Sequence, residues 1–339
     1  MAEFDIFKPQ VSVVARGLEG KTVLVYGSAS TGKTRQATRA KKPFYIGFEA
    51  GINAISGIPF LPMNGKWSNF KKSNRQLTNP KTLDQAKESY NTIILDTVEA
   101  SAQYCQDYIC EKEGVETIGE IPHGAGYKMY EVEYWREINR LTSAGYTVYF
   151  ISHEGQREFL DEKGESYSKI YPKGDKRSID PICDLCDIIV YARPNGLDPS
   201  GKEIKSSAFM VNTSEYLARS RFDYMTPYLK EFTIENLEDA IAKAIEEEEK
   251  TNGKKAVVSF EEKKTTEKVE EKTFEKIVEE IKKYATWLHA QDKFKDYSAI
   301  VKSYLGEGSS VSEAQPSQKQ QLEMILFDLE EEYSEAIDS

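Results

Sequence analysis

Short apolar runs alternate with stretches of helical spacing over the first half of the chain. Lys21–Tyr26 (KTVLVY) is a strand-like run that enters a glycine-rich loop, and Lys33–Ala40 reads as a helix behind it. Pro43–Phe48 (PFYIGF), Thr92–Leu95 (TIIL) and Thr147–Ile151 (TVYFI) are three further strands. Before the last of them, Val132, Trp135, Ile138 and Leu141 recur at helical spacing within Glu131–Ser143, and Gly145 stops the helix. Alternating strand and helix patterns predict an α/β fold, a mostly parallel sheet with helices on both faces.

The texture changes after Gln156. REFLDEKGESYSKIY predicts a hairpin turning at Glu162-Lys163-Gly164. Ile188–Ala192 and Ser207–Val211 flank the turn PNGLDPSGKE, which implies an antiparallel extension at one sheet edge, and Asn236–Glu249 reads as a closing helix. Thr251–Lys272 is mostly Lys, Glu and Thr and reads as a solvated linker or frayed helix. Beyond it, Phe274, Ile277, Ile281, Tyr284, Trp287 and Leu288 share helical spacing. Tyr297–Leu305 and Gln320–Tyr333 give two more amphipathic helices. The expected organisation is a core domain at 1–249, a charged linker at 250–272 and a small helical module at 273–339.

Composition narrows the class. The chain has 339 residues, 39% hydrophobic and 30% charged, and no apolar run near the ~20 residues that span a bilayer. MAEFDIFKPQ lacks a basic stretch followed by an apolar one, so no signal peptide is read and a cytoplasmic location is expected. The net charge of −11 is concentrated beyond residue 243, in IEEEEK and EEEYSEAIDS, so the global acidity says little about the core. Of the four cysteines, Cys183 and Cys186 form a CxxC inside DPICDLCDIIVYA, a helix running into a buried strand. Spaced i,i+3 they share one face, and buried thiols are favoured over a zinc site.

The segment Gly27-Ser28-Ala29-Ser30-Thr31-Gly32-Lys33-Thr34 matches G-x-x-x-x-G-K-[ST] between a predicted strand and a predicted helix, the context that gives the pattern meaning. Glycines let backbone N–H groups curl around the phosphates of a nucleotide, Lys33 reaches the β/γ oxygens, and Thr34 ligates Mg²⁺. ATP with Mg²⁺ is therefore the expected cofactor pair. Asp96 closes the run TIIL, where a carboxylate holds the Mg²⁺ water shell; the plainer reading is a helix N-cap. For activating water, Glu49 directly after the second strand is favoured over Glu99. His153 closes YFISH, where a polar group touches a γ-phosphate; His123 and His289 lack such a context. Arg219 and Arg221 in YLARSRF project from one face of a strand, as fingers toward a neighbouring subunit's phosphate or as surface arginines.

KTVLVYGSASTGKT, TIILDTVEA and TVYFISHE together resemble the RecA-like ATPase core. More narrowly, residues from about 9 to 245 resemble the phage nucleotide-binding proteins of the RecA-core annealing type, the Sak-type ATPases. GFEAG, HGAGYKMY, FISHEGQRE, PKGDKRSIDPICDLCDIIVY and ARSRF carry that likeness. The resemblance implies that Glu49 is the catalytic acid, set beside the P-loop strand if the strands are ordered as in RecA. It implies that His153 couples nucleotide to DNA loops. ARSRF is similar to the KNRFG motif of RadA-type recombinases, with Arg219 in place of the lysine and a serine in place of the asparagine, which implies a subunit interface in a homo-oligomer.

The resemblance also places DNA-contacting loops after the third and fourth strands, here Glu111–Lys128 and Gly155–Arg177. The second holds Arg157, Lys163, Lys169, Lys173, Lys176 and Arg177 interleaved with Phe159, Tyr167 and Tyr171, a composition suited to single strands. Asp161, Glu162, Glu165 and Asp175 dilute that charge, and the first loop is acid-rich. The expected function is a Mg-ATPase that binds single-stranded DNA in phage recombination or annealing. A replication helicase or loader motor is one rival. A non-enzymatic, nucleotide-gated module whose helical tail docks a protein partner is another. A P-loop kinase is disfavoured, because no Arg-rich lid helix is apparent.

Overall fold

In the computed structural model, which describes residues 14–49, 51–253 and 272–337, the apolar runs become neighbours in one sheet. The described residues form two compact units, one within 14–253 and one within 272–337. The first carries ten strands among its described residues: β1 (Thr22–Gly27), β2 (Pro43–Gly47), β3 (Phe60–Pro62), β4 (Thr92–Asp96), β5 (Thr147–Leu160), β6 (Ser166–Pro172), β7 (Ile188–Arg193), β8 (Ser207–Phe209), β9 (Arg219–Ser220) and β10 (Tyr228–Leu229). Their order is β10-β8-β7-β1-β5-β4-β2-β3, with β6 on β5 and β9 on β7. The stretch from β7 to β3 is parallel, and β8 and β10 form the antiparallel edge that the second half of the sequence predicts.

One expectation about this order fails. β2 does not lie beside the P-loop strand, because β5 and β4 stand between β2 and β1. Glu49 reaches the phosphate region by a different route. It follows β2 next to the end of β4, where Gly47 is in register with Asp96 and the N–H of Phe48 donates to the Asp96 carbonyl at 2.7 Å.

Helices cover both faces. α1 (Lys33–Ala37) is shorter than the predicted Lys33–Ala40; α2 (Trp67–Thr78), α3 (Leu83–Ser89), α4 (Val98–Glu113), α5 (Ala125–Thr142), α6 (Lys176–Leu185) and α7 (Ile234–Asn252) follow. One core lies between α2, α4, α5, α6 and the sheet, with Trp67, Phe70, Tyr130, Tyr134 and Ile138 fully enclosed. The other lies under α7, with Leu237, Ile241 and Ile245 against Val23, Val25 and Val190. Each of these side chains, once enclosed, contributes about 1.5–3 kcal/mol relative to remaining in water. The four cysteines are free thiols buried in the first core, and burial pushes the Cys183 thiol up to about 12.

α5 begins six residues before the predicted start, and the predicted first DNA loop, 111–128, is no loop on a strand. β4 passes directly into α4, and 111–128 is the end of α4, two 3-10 turns (Ile118–Glu120 and Pro122–Gly124) and the first residues of α5. The second unit consists of α8 (Phe274–Ala290), α9 (Phe294–Leu305), two short 3-10 turns and α10 (Lys319–Ile337), closed over Ile277, Ile281, Leu288, Val301, Leu322 and Leu329. Of the expected linker 250–272, residues 254–271 lie outside the described residues, while α7 extends to Asn252. No described helix is long and apolar enough to cross a membrane.

Candidate active site at the strand ends

Parallel strands place their C-terminal ends on one edge, where loops rather than the ladder use the backbone polar groups. Register decides which residues meet there. Gly27, the last residue of β1, is opposite His153 on β5 and Ala192 on β7. Asp96 on β4 is opposite Ile151 on β5 and Gly47 on β2. Glu49, Asp96, Glu99, His153 and the P-loop therefore gather at one edge, although they are up to 126 residues apart in sequence.

The loop from Gly27 to Thr34 needs its glycines. A Cβ on Gly27 would stand 2.1 Å from the Ala192 carbonyl oxygen, so any side chain would separate β1 from β7. Gly32 has φ +83°, a left-handed conformation that glycine adopts without steric cost. Ala29 and Ser30 are exposed at the crown, Ser28 and Gly32 are half-buried, and Thr31 is buried with its Oγ1 on the Ser28 carbonyl at 3.0 Å. Lys33 is buried and donates to the carbonyls of Gly27 at 2.9 Å and Ser28 at 2.7 Å. Burial pulls its ammonium below the ordinary lysine value, against the opposing charges of Asp96, Glu99, Glu154 and Glu49.

Thr34 Oγ1 donates to Asp96 Oδ2 at 2.7 Å, and Tyr45 donates to the same oxygen at 3.0 Å. Burial raises the Asp96 carboxyl above its ordinary value while these two hydrogen bonds act to lower it. Asp96 is not the N-cap of α4. That position belongs to Thr97, whose side chain accepts from the Ala100 N–H, so capping does not account for the aspartate.

Thr97 Oγ1 also donates to Glu49 Oε1 at 2.9 Å, which fixes an otherwise exposed carboxylate. Glu99, on the first turn of α4, accepts from the His153 ring Nδ1 at 2.6 Å and from the His153 N–H at 3.1 Å. The hydrogen bond to Glu99 raises the imidazole above its ordinary value against partial burial. Burial works to raise Glu99, but the His153 hydrogen bonds prevail and hold it below its usual range. One ligand atom from each of Glu49, Glu99 and His153 lies within 4.8 Å of the others. The second oxygens of Glu99 and Glu154 are buried with no hydrogen-bond partner among the described residues. Buried polar atoms are rarely left so, and such atoms mark places where a ligand or water completes the structure. Glu49 and Glu99, rivals in the sequence, are thus members of one cluster.

The predicted arginine pair is elsewhere. β9 joins β7 at Ile188 and Ile189, the opposite end of the strand from Ala192, so it stands roughly 13 Å along the sheet from Gly27. Arg219 Nη2 donates to the carbonyls of Cys183, Asp184 and Cys186 at 2.5–3.0 Å, and Arg221 to Asp184 and the Asp187 carboxylate. Both satisfy the last carbonyls of α6, which leave the helix without intrahelical partners. They do not serve their own chain's phosphate site.

The predicted DNA segment Gly155–Arg177 is a two-stranded ribbon, since β5 runs without a break from the core into a hairpin with β6. The register puts Arg157, Phe159, Tyr167, Lys169 and Tyr171 on one face, where they pair with each other. Arg157 lies 3.9 Å over the Tyr171 ring and bonds Asp180, and Lys169 is buried against Phe159 and bonds Asn212 at 2.8 Å. Lys169 and Tyr171 are therefore not open to a nucleic acid as the sequence pattern implies. Lys163, Lys173, Lys176 and Arg177 are exposed, with Phe159 and Tyr167 half-buried near the hairpin tip.

Sequence reasoning passed over Tyr45, Thr97 and Glu154. Only Tyr45 left a signal, a hydroxyl in the otherwise apolar run FYI. The assembled residues fit a nucleoside triphosphate with its divalent cation. The loop curls around a buried lysine, two hard oxygen donors stand 2.7 Å apart, and acids lie beyond them.

Fold and site define a P-loop protein of the nucleotide-binding ATPase class, and the chain belongs to the AAA domain family, whose match spans residues 19–222. It is 47% identical over 328 residues to the SPbeta prophage-derived uncharacterized protein YorG of Bacillus subtilis (strain 168), covering 96% of this chain and 98% of that protein.

Proposed function

We propose that this protein is a phage-type ATPase that hydrolyses Mg-ATP at the strand ends and binds single-stranded DNA during recombination by strand annealing. The AAA domain match and the prophage origin in the relative's name support the coarse part, and the resemblance to Sak-type ATPases supports the finer part. The observation that carries the coupling is β5. One uninterrupted strand holds His153 beside Gly27 and then becomes the basic ribbon, and the Lys173 N–H bonds the His153 carbonyl at 2.8 Å.

ATP supplies the phosphoanhydride bond, and Mg²⁺ neutralises the charge on its phosphates. Lys33 and the loop N–H groups bind the phosphates, and Thr34 with Asp96 holds the cation. Thr97 fixes Glu49 Oε1, and the carboxylate accepts the proton of the attacking water. His153, held by Glu99, contacts the terminal phosphate and passes its presence along β5. The chain works in the host cytoplasm as a homo-oligomer in which Arg221 and not Arg219 is the finger, because Arg221 is exposed whereas Arg219 is half-buried on three carbonyls. The unit at 272–337 is a docking module for a protein partner.

The test is fluorescence anisotropy of a labelled oligonucleotide across a salt series, with ATP present. Lys173→Ala/Lys176→Ala/Arg177→Ala is expected to weaken binding and flatten its salt dependence. Tyr167→Ala is expected to weaken binding by about 1–3 kcal/mol with the slope unchanged. No binding by the wild type would transfer support to a nucleotide-gated interaction module, a reading that the internal pairing of Lys169 and Tyr171 favours.

A further inference from the structure

The cluster of Glu49, Glu99 and His153 has a composition that water activation does not require. A single carboxylate suffices for that task, whereas here two carboxylates and an imidazole converge, with candidate ligand atoms within 4.8 Å of one another. They come from three separate elements: the residues after β2, the first turn of α4 and the end of the sheet portion of β5. Glu99 Oε2 is buried with no partner among the described residues, so the cluster contains an acceptor that its own hydrogen bonds leave unused.

We infer that Glu49, Glu99 and His153 form a second cation site, selective for a borderline transition metal such as Zn²⁺ or Co²⁺, beside the Mg²⁺ position at Thr34 and Asp96. The ligand types separate the two sites. Thr34 and Asp96 offer oxygen alone, which suits a hard cation. A neutral imidazole nitrogen with two carboxylates suits zinc, cobalt or iron, and Mg²⁺ competes poorly for it. Bonds of about 2.0–2.2 Å place tetrahedral ligand atoms roughly 3.4 Å apart, so the cluster needs to contract by little more than an ångström. The His153–Glu99 hydrogen bond, at 2.6 Å, is shorter than that spacing and opens to admit the cation, and Glu49, exposed but held through Oε1 by Thr97, offers its other carboxylate oxygen. Three protein ligands leave a coordination position for water.

The consequence follows from which residue is captured. A cation bound through Glu49 removes the carboxylate that accepts a proton from water, so micromolar Zn²⁺ stops turnover while millimolar Mg²⁺ and ATP remain bound. This consequence rests on the proposed ATPase reading; the metal site itself does not.

The test therefore reads binding first. Full-length protein in millimolar Mg²⁺ is titrated with Zn²⁺ against a chromophoric chelator, and with Co²⁺ by visible absorption. One equivalent is expected, weakened about tenfold or more in each of Glu49→Gln, Glu99→Gln and His153→Gln. Glu49 is exposed, so its variant keeps the fold even where the two more enclosed substitutions do not, and circular dichroism checks all three. No binding, equal binding by Glu49→Gln, or a thiolate-to-cobalt charge-transfer band pointing to Cys183 and Cys186 would each overturn the site. If Zn²⁺ binds as expected but no ATP turnover exists to inhibit, the ATPase reading fails and the metal site stands.

Discussion

The two ends of the parallel sheet treat polar groups differently. At the N-terminal ends the charged groups are mostly paired, although Arg219 Nε is buried with no partner among the described residues. Asp187 accepts from the Thr22 N–H at 2.8 Å and pairs with Arg221, Thr147 Oγ1 donates to the Leu18 carbonyl, and Arg219 closes α6. At the C-terminal ends the groups are paired too, but charged groups are taken out of water and some acceptor capacity is left unused. Lys33 is pulled down and Asp96 raised, chiefly by burial, while Glu99 and Glu154 each keep an oxygen with no partner among the described residues. Matched groups hold a structure together, whereas buried groups with unused capacity are arranged for something that arrives later.

Substitutions at the two ends should therefore fail in different ways. The largest effect is expected for Glu49→Gln, which keeps the shape but cannot take a proton. Turnover should fall by about 10²–10⁴-fold while nucleotide binding, followed by equilibrium dialysis, persists. Should Glu99→Gln behave this way and Glu49→Gln not, the catalytic role passes to Glu99. Lys33→Ala comes next, with about a hundredfold or greater loss of turnover and weaker nucleotide binding in a folded chain. Unchanged phosphate release from that variant would contradict the phosphate-site assignment.

At the other end, Arg219→Ala should cost about 1–3 kcal/mol of stability, measured by urea denaturation, with turnover per folded molecule nearly intact. The same experiment sharpens the comparison for Arg221. If Arg221→Ala subunits lose turnover and regain it when mixed with Lys33→Ala subunits, the bottom of one sheet serves the top of another.

The smallest effect concerns pH. His153 is held above its ordinary value of 6.5 and Glu99 below 4.5. The imidazole's contribution is complete below 6.5 and disappears as pH rises through its elevated value. The carboxylate's is complete above 4.5 and disappears as pH falls through its depressed value. Their pairing is therefore strongest between those two edges. In metal-free protein, the His153 ring resonances should titrate above 6.5, and Glu99→Gln should bring that midpoint down. A midpoint indifferent to Glu99→Gln would dissolve the pair.

The strands and the phosphate loop were legible because each is a local signal. An apolar run such as TIIL is buried on both faces wherever it stands, and Gly27 to Thr34 carries its geometry within eight residues. Strand order was not legible, and neither was the cluster, because register brings Glu49, Glu99 and His153 together from distant segments. The helices α2 and α3 went unread although Trp67, Phe70 and Leu77 keep helical spacing, because polar residues fill most of the intervening positions. The ribbon misled in the opposite direction. Its basic and aromatic residues resemble a stacking surface in one dimension, but alternation puts them on the same face, where Arg157, Lys169 and Tyr171 satisfy one another or the core.

The steady-state rate of ATP hydrolysis by the full-length protein, with and without single-stranded DNA, tests the central claim most directly. Hydrolysis that requires Mg²⁺, disappears in Glu49→Gln and accelerates when DNA engages the ribbon is the predicted result. Tight ATP binding with no turnover in either condition would contradict it.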